Sequence, residues 1–203
     1  VIVRSYEDYR EIVEAFQELG VTHFAPGYGH LAESRAAHGH VITKKVQWIG
    51  PSEDFLSTAS SKHRAKTAAR RNKIPIIPGT VDPVARENVK RRTRNMLEKQ
   101  KDDNIENPAI MLKLADSGRG AGHHVITYRN LADIENIFDA TERMGKKYFG
   151  SREVILERFI RNGIHIEVNI FSDGKDYIHL GTRNCTIQRQ FQKFIELSPA
   201  LAP

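Results

Sequence analysis

Ala109-Ile-Met-Leu-Lys-Leu-Ala-Asp-Ser-Gly-Arg-Gly-Ala-Gly-His-His-Val-Ile-Thr127 sets two apolar runs on either side of a glycine-bearing loop. The runs Ala109–Leu114 and His124–Thr127 read as strands, so the stretch is a hairpin whose connection, Ala115–Gly122, carries the glycines. A dinucleotide fingerprint or a Walker loop needs a strand-to-helix turn instead, and this is not one. Glycines at 118, 120 and 122 let backbone amides approach an anion with no Cβ in the way. Lys113, just before the loop, can add a point charge for phosphate oxygens. Taken alone, the pattern is equally that of a glycine-rich turn without a ligand.

Downstream, Leu131–Met144 has the period of a helix, with Ile134, Ile137, Phe138 and Met144 inward. Short strands follow at Val154–Phe159, His165–Ser172 and Tyr177–Arg183, the last two joined across Ser172-Asp-Gly-Lys175. Ile164, Ile166, Val168 and Ile170 alternate with a period of two, which predicts an antiparallel sheet with packed helices. Upstream, Val84–Gln100 reads as a strongly basic helix and Asp102–Pro108 as a polar loop. Ile74-Pro-Ile-Ile-Pro-Gly79 stops a helix and extends the chain, as a hinge between domains would.

Before that hinge, helix, strand and glycine turn repeat. Ser5–Leu19 is a helix with Ser5 as its cap and Gly20 as its stop. Val21–Phe24 and Val46–Ile49 are strands, and Leu31–His40 and Glu53–Asn72 are helical. This order predicts an α/β layer on a parallel sheet. The fold class is therefore α/β and α+β, a parallel N-terminal subdomain followed by a region with an antiparallel sheet.

The totals bound the function. A 203-residue chain with 39% hydrophobic and 28% charged residues is that of a soluble globular protein. No apolar run approaches the roughly 20 residues that cross a bilayer, and the opening residues do not read as a signal peptide. The lone Cys185 excludes an internal disulfide framework and fits a reducing compartment. The net charge of +6 gathers in Lys62–Lys73 and Lys90–Lys101, which read as solvated helical faces. Without an RNA-recognition, zinc-finger or aromatic–basic signature, neither a nucleic-acid nor a membrane partner is expected. The absence of an initiator Met predicts a trimmed chain.

Two further stretches can carry chemistry. Val154-Ile-Leu-Glu-Arg-Phe-Ile160 leads into Gly163-Ile-His-Ile-Glu-Val168, and Glu157 can accept from an exocyclic amine if held at the strand end. As an isolated pair, Glu157–Arg158 reads as surface ions. His165 and Glu167 share a strand face, which reads as a satisfied polar pair before a metal site. Arg183-Asn-Cys-Thr-Ile-Gln-Arg-Gln-Phe-Gln-Lys193 packs cations among amides, as polyphosphate or carboxylate recognition requires.

Pro26-Gly-Tyr-Gly-His-Leu-Ala-Glu-Ser34, Ile49-Gly-Pro-Ser52, Ile74–Gly79, His165-Ile-Glu-Val-Asn-Ile170 and the Arg183–Lys193 block resemble, in order and spacing, the biotin carboxylases of ATP-grasp fold. The resemblance covers nearly the whole chain. It implies a partial N-terminal subdomain at 1–57 and an ATP-grasp region at 58–203, with a lid at about 80–150 that begins just past the hinge. The activity implied is ATP- and bicarbonate-dependent carboxylation of biotin on a carrier protein, with Mg2+. The implied partners are a biotin carboxyl carrier domain and a carboxyltransferase, in a homo-oligomer of the cytoplasm or mitochondrial matrix.

Carried over by motif, Lys62 and Lys113 would hold phosphates, and Gly118, Gly120 and Gly122 would form the lid loop. Glu157, Arg158 and Ile160 would flank adenine. His165 would lie near ribose or phosphates, and Gln188 and Lys193 at the reacting centre. The chain departs from the family pattern at Asp116, Ser117, Arg119 and Ala121 in the lid, at Arg158, and at Thr182, Asn184, Gln190 and Phe191. These departures leave a catalytically degenerate homologue with a structural or regulatory role as the alternative. An ATP-grasp ligase of another kind would not account for the Gln188–Lys193 block.

Overall fold

The structure is a computed structural model that describes residues 2–5, 8–27, 29–116, 122–189 and 192–201. The chain divides into two compact units, Val1–Ile76 and Ile77–Pro203.

The first unit runs α1 (Tyr9–Glu18), β1 (His23–Phe24), α2 (His30–Glu33), α3 (Arg35–Thr43), β2 (Gln47–Trp48), α4 (Glu53–Ala59) and α5 (Lys62–Arg71). The helix expected from Ser5 starts at Tyr9, because Asp8 takes the cap and its carboxylate accepts from Glu11 N at 3.2 Å. The single stretch read at Leu31–His40 is split at Ser34, whose Oγ accepts from Ala37 N and opens a new helix. Likewise Glu53–Asn72 is two helices rather than one, broken where Ser61 turns extended at φ −117° and ψ 120°. β1 and β2 pair in parallel, His23 with Gln47 and Phe24 with Trp48. Val13, Val41 and Val46 form a small core against Phe16, Phe24 and Trp48.

The second unit holds the larger core. It contains α6 (Arg86–Asp102), β3 (Ile110–Leu114), β4 (His124–Ile126), a 3-10 turn at Leu131–Asp133, α7 (Ile134–Phe149) and β5 (Val154–Arg158). The strands form one antiparallel sheet in the order β4-β3-β5, with Leu112 facing both His124 and Leu156. Val89 and Leu97 of α6 and Ile134 and Phe138 of α7 bury against Ile110, Leu112, Leu114 and Leu156. Fully burying each such side chain stabilises by about 1.5–3 kcal/mol before conformational entropy is counted.

The proline-rich segment runs along β5. Arg158 N donates to Pro78 O at 2.7 Å, Thr80 N to Leu156 O at 2.8 Å and Val84 N to Val154 O at 2.8 Å. Gly79 sits against the strand so closely that a Cβ would fall 2.3 Å from Leu156 O and 3.2 Å from Glu157 Cγ.

Beyond β5 come β6 (Ile166–Ser172) and β7 (Tyr177–Asn184), then the short pair β8 (Gln188–Arg189) and β9 (Gln192–Lys193). The β6–β7 hairpin turns on Asp173, whose Oδ1 accepts from Lys175 N and Asp176 N. Its register slips between Val168 and Ile170, so two steps along β6 face three along β7. Ile166, Val168 and Ile170 alternate as the sequence predicts, but they are 44%, 52% and 61% exposed. Among the described residues no helix is long and apolar enough to cross a membrane.

Candidate functional site

Lys113 and Glu157 meet on the β3–β5 sheet. The register sets Met111 opposite Glu157 and Lys113 opposite Ile155, so the two charged side chains lie diagonally on one face. Lys113 Nζ forms an ion pair with Glu157 Oε2, and both are largely buried, at 15% and 7% exposure. The sequence treats these residues as separate contacts, one for phosphate and one for adenine; the fold joins them. Desolvation makes such a pair costly to break from one side. Gly79 lies against the Glu157 backbone, where a Cβ would fall 2.7 Å from Glu157 Cα.

Around this pair the other expected residues take distinct positions. Arg158 follows Glu157 and so points to the opposite sheet face, half-buried, with its backbone held by Pro78. Ile160 lies past the strand and is 46% exposed. Gly122 has φ +68°, and a Cβ there would meet Leu114 Cδ1 at 3.0 Å, so this glycine seats the end of the loop on the core. Gly118 and Gly120 fall outside the described residues, as do Ser117, Arg119, Ala121, Gln190 and Phe191. At the loop's start, Asp116 Oδ1 is buried and has no hydrogen-bond partner among the described residues. Lys62 is the first residue of α5, in the first unit.

His165 and Lys193 converge on Glu167, and Gln188 joins them through His165. Gln188 Nε2 donates to His165 Nδ1 at 2.7 Å and to Cys185 O at 2.9 Å. With Nδ1 accepting, the network assigns the ring proton to Nε2, which faces Glu167 Oε1 at 3.2 Å. Lys193 Nζ pairs with the same oxygen, while Arg183 Nη2 takes Oε2 at 2.9 Å. Arg183 Nη1 pairs in turn with Glu196 Oε2.

The main chain holds the group in place. His165 N donates to Thr186 Oγ1 at 3.0 Å, and Cys185 N to His165 O at 2.8 Å. The Lys193 hydrogen bond, reinforced by the charges of Lys193 and Arg183, outweighs desolvation and holds the Glu167 carboxyl below its ordinary range. Burial, then the nearby Glu167 and Glu196 charges, push the Cys185 thiol up.

With His165 neutral, Lys193 and Arg183 balance Glu167 and Glu196. The cluster is thus a cross-braced set of donors, and an incoming anion would compete with Glu167 for them. Glu167 is its hub, and Arg183 and Glu196 complete it. The His-x-Glu spacing signalled the first of these. Nothing local marked Glu196, which reaches the cluster only because Asn184 pairs with Leu197.

Thr182 and Asn184 have structural work. Thr182 Oγ1 accepts from Ala200 N at 3.1 Å, and Asn184 Oδ1 accepts from Thr186 N at 3.0 Å. Among the described residues, no group of three or more His, Cys, Asp or Glu side chains is placed to hold a metal ion.

Comparison with known proteins agrees with this layout. Residues 2–56 match the family described as "Biotin carboxylase, N-terminal domain", and residues 61–202 match "Carbamoyl-phosphate synthase L chain, ATP binding domain". The chain is 32% identical over 198 residues to urea amidolyase of Saccharomyces cerevisiae, covering 97% of this chain and 10% of that protein. It is 32% identical over 197 residues to the biotin-dependent acyl-coenzyme A carboxylase alpha3 subunit of Mycobacterium leprae, covering 97% of this chain and 31% of that one.

Among solved structures it superimposes on the biotin carboxylase domain of Hydrogenobacter thermophilus 2-oxoglutarate carboxylase, a dimer solved with MgADP, ADP and bicarbonate. There the TM-score is 0.85 and the identity 28%, over 99% of this chain and 43% of that one. The chain thus spans less than half the length of the relatives named here. An N-terminal parallel pair, a glycine-loop hairpin packed on two helices and the His165–Lys193 cluster, found together with these matches, make the chain a member of the biotin carboxylase family of ATP-grasp proteins.

Proposed function

We propose that the chain forms the nucleotide-binding core of a biotin carboxylase, which uses ATP and bicarbonate to carboxylate biotin on a carrier protein. One observation carries this reading. His165 and Lys193, far apart in sequence, meet at one oxygen of Glu167, and Gln188 holds the His165 ring from behind. Donors gathered this way suit a site where negative charge builds on phosphoryl or carbonate oxygens.

In this reading Glu157 and Ile160 line the adenine side, Arg158 serves there through its main chain because its side chain faces the other way, and Lys62, Lys113 and the glycines at 118, 120 and 122 serve the phosphates. Lys113 leaves Glu157 for phosphate oxygens as Glu157 turns to the exocyclic amine. ATP, when bound, supplies the phosphoryl group that activates bicarbonate. Mg2+ accompanies the nucleotide, and no described residue is assigned to it. A carrier domain, a carboxyltransferase and a second copy of the chain are the proposed partners, in the cytoplasm or mitochondrial matrix. The subdomain division at 57/58 belongs to the same proposal.

The test is bicarbonate-dependent ATP cleavage with free biotin, measured on the complete gene product. Turnover above background is expected, and its absence overturns the reading. Calorimetry adds a residue-level check. Lys113→Ala should weaken MgATP binding by about 1.5–3 kcal/mol, the range for charged hydrogen bonds.

Asp116 favours a second reading, a homologue that has lost catalysis. Its Oδ1, without a hydrogen-bond partner among the described residues at the start of the lid loop, would repel a triphosphate. Micromolar MgATP affinity, about −8 kcal/mol, would count against a purely structural role.

A further inference from the structure

Arg183 stands between two carboxylates. Its Nη2 lies 2.9 Å from Glu167 Oε2, and its Nη1 pairs with Glu196 Oε2. Glu167 gives its other oxygen, Oε1, to Lys193 Nζ and His165 Nε2. Three segments therefore converge on one guanidinium: β6 through Glu167, β7 through Arg183 itself, and the stretch after β9 through Glu196.

The division of oxygens matters. The last torsion of a glutamate is broad, so the carboxylate plane is set only by its partners, and a point charge such as Lys193 leaves that plane free to turn. A lysine does not choose between the two oxygens, whereas a guanidinium is a planar fork with fixed directions. We infer that Arg183 is a positioning residue. Anchored by Glu196, it claims Glu167 Oε2 and so presents Oε1 to Lys193 and His165. Its place in catalysis rests on the biotin carboxylase reading above, but its geometry can be tested without turnover.

The groups facing Glu167 are His165, Arg183, the Cys185 thiol and Lys193, with Glu196 behind Arg183. The informative pair of variants is Arg183→Gln, which removes charge and fork, and Arg183→Lys, which keeps the charge and loses the fork. Nitrogen-15 resonance of the His165 ring in the 203-residue chain reports whether Nε2 still donates to Glu167. In the wild type the two ring nitrogens should differ widely in shift, Nε2 protonated and Nδ1 bare.

Both variants should move the Nε2 shift as its hydrogen bond to Glu167 weakens, with Nδ1 still accepting from Gln188, and Arg183→Lys should do so even though the charge is retained. If Arg183→Lys leaves the ring-nitrogen shifts at their wild-type values, charge alone suffices and the inference is overturned. Should Arg183→Gln fail to fold, Arg183→Lys and Glu196→Gln decide. Glu196→Gln, which unanchors Arg183, should move the shifts in the same direction, and no movement in either overturns the inference.

In the active gene product, Arg183→Lys should lower kcat for bicarbonate-dependent ATP cleavage roughly 10- to 100-fold, the range for groups that orient a ligand. The KM for ATP should change much less, because Arg183 makes no contact with the Lys113–Glu157 pair. Equal losses in both would make Arg183 part of nucleotide binding and overturn the positioning role. If the wild type shows no turnover, the biotin carboxylase reading falls, and the ring-nitrogen result still decides this one.

Discussion

Glu157 is 6% exposed and forms an ion pair with Lys113. Lys113→Met should therefore cost about 3 kcal/mol in urea unfolding, the low end for stripping one partner from a buried pair, because Lys113 itself keeps some contact with solvent. Replacing both residues with apolar ones should recover most of that loss. Glu167 makes a different prediction. Its folded carboxyl titrates below the ordinary 4.5, so it contributes stability that is fully present above that value and is lost as pH falls through the lowered one. Glu167→Gln should flatten the fall in urea midpoint between about pH 5 and pH 3 relative to wild type. At this scale the sequence marked the cations and amides of 183–193 and the His165–Glu167 spacing. It did not mark that Lys113 would spend its charge on Glu157, because a diagonal contact between β3 and β5 depends on register across more than a helix of intervening chain.

The element that most constrains the second unit is the segment Pro78–Val84 laid along β5. Read from sequence it is a breaker, since two prolines and a glycine end a helix. Read from the fold it is also a clamp, because Gly79 is the only residue type that can lie this close to Leu156 O. Gly79→Ala should destabilise the chain by about 1–3 kcal/mol, as overpacking does, and chemical denaturation would measure it. Nucleotide affinity should fall with it if Glu157 lines adenine. The β3–β4 hairpin and helices α6 and α7 were legible from apolar period alone. The breaks at Ser34 and Ser61 were not, since serine serves both as a cap and as a tolerated interior residue, and the competing backbone geometry decides between them.

Across the whole molecule, burial is uneven. Leu112 is fully enclosed, and Leu112→Ala should cost about 2–5 kcal/mol. Val168, half-exposed on β6, should tolerate Val168→Thr within about 0.5 kcal/mol, while light scattering shows reduced self-association. A large stability loss from Val168→Thr would mean that this face is covered in solution. The period of two announced a strand here but could not say whether its apolar face had a partner, because alternation records what a strand is suited to bury. The two units also differ optically. The chain has one tryptophan, Trp48, packed edge-on to His38 and hydrogen-bonded to Pro51 O in the first unit. Its emission will therefore follow the surroundings of Trp48 in that unit, and a tryptophan introduced at Phe138 would give the second unit a reporter of its own.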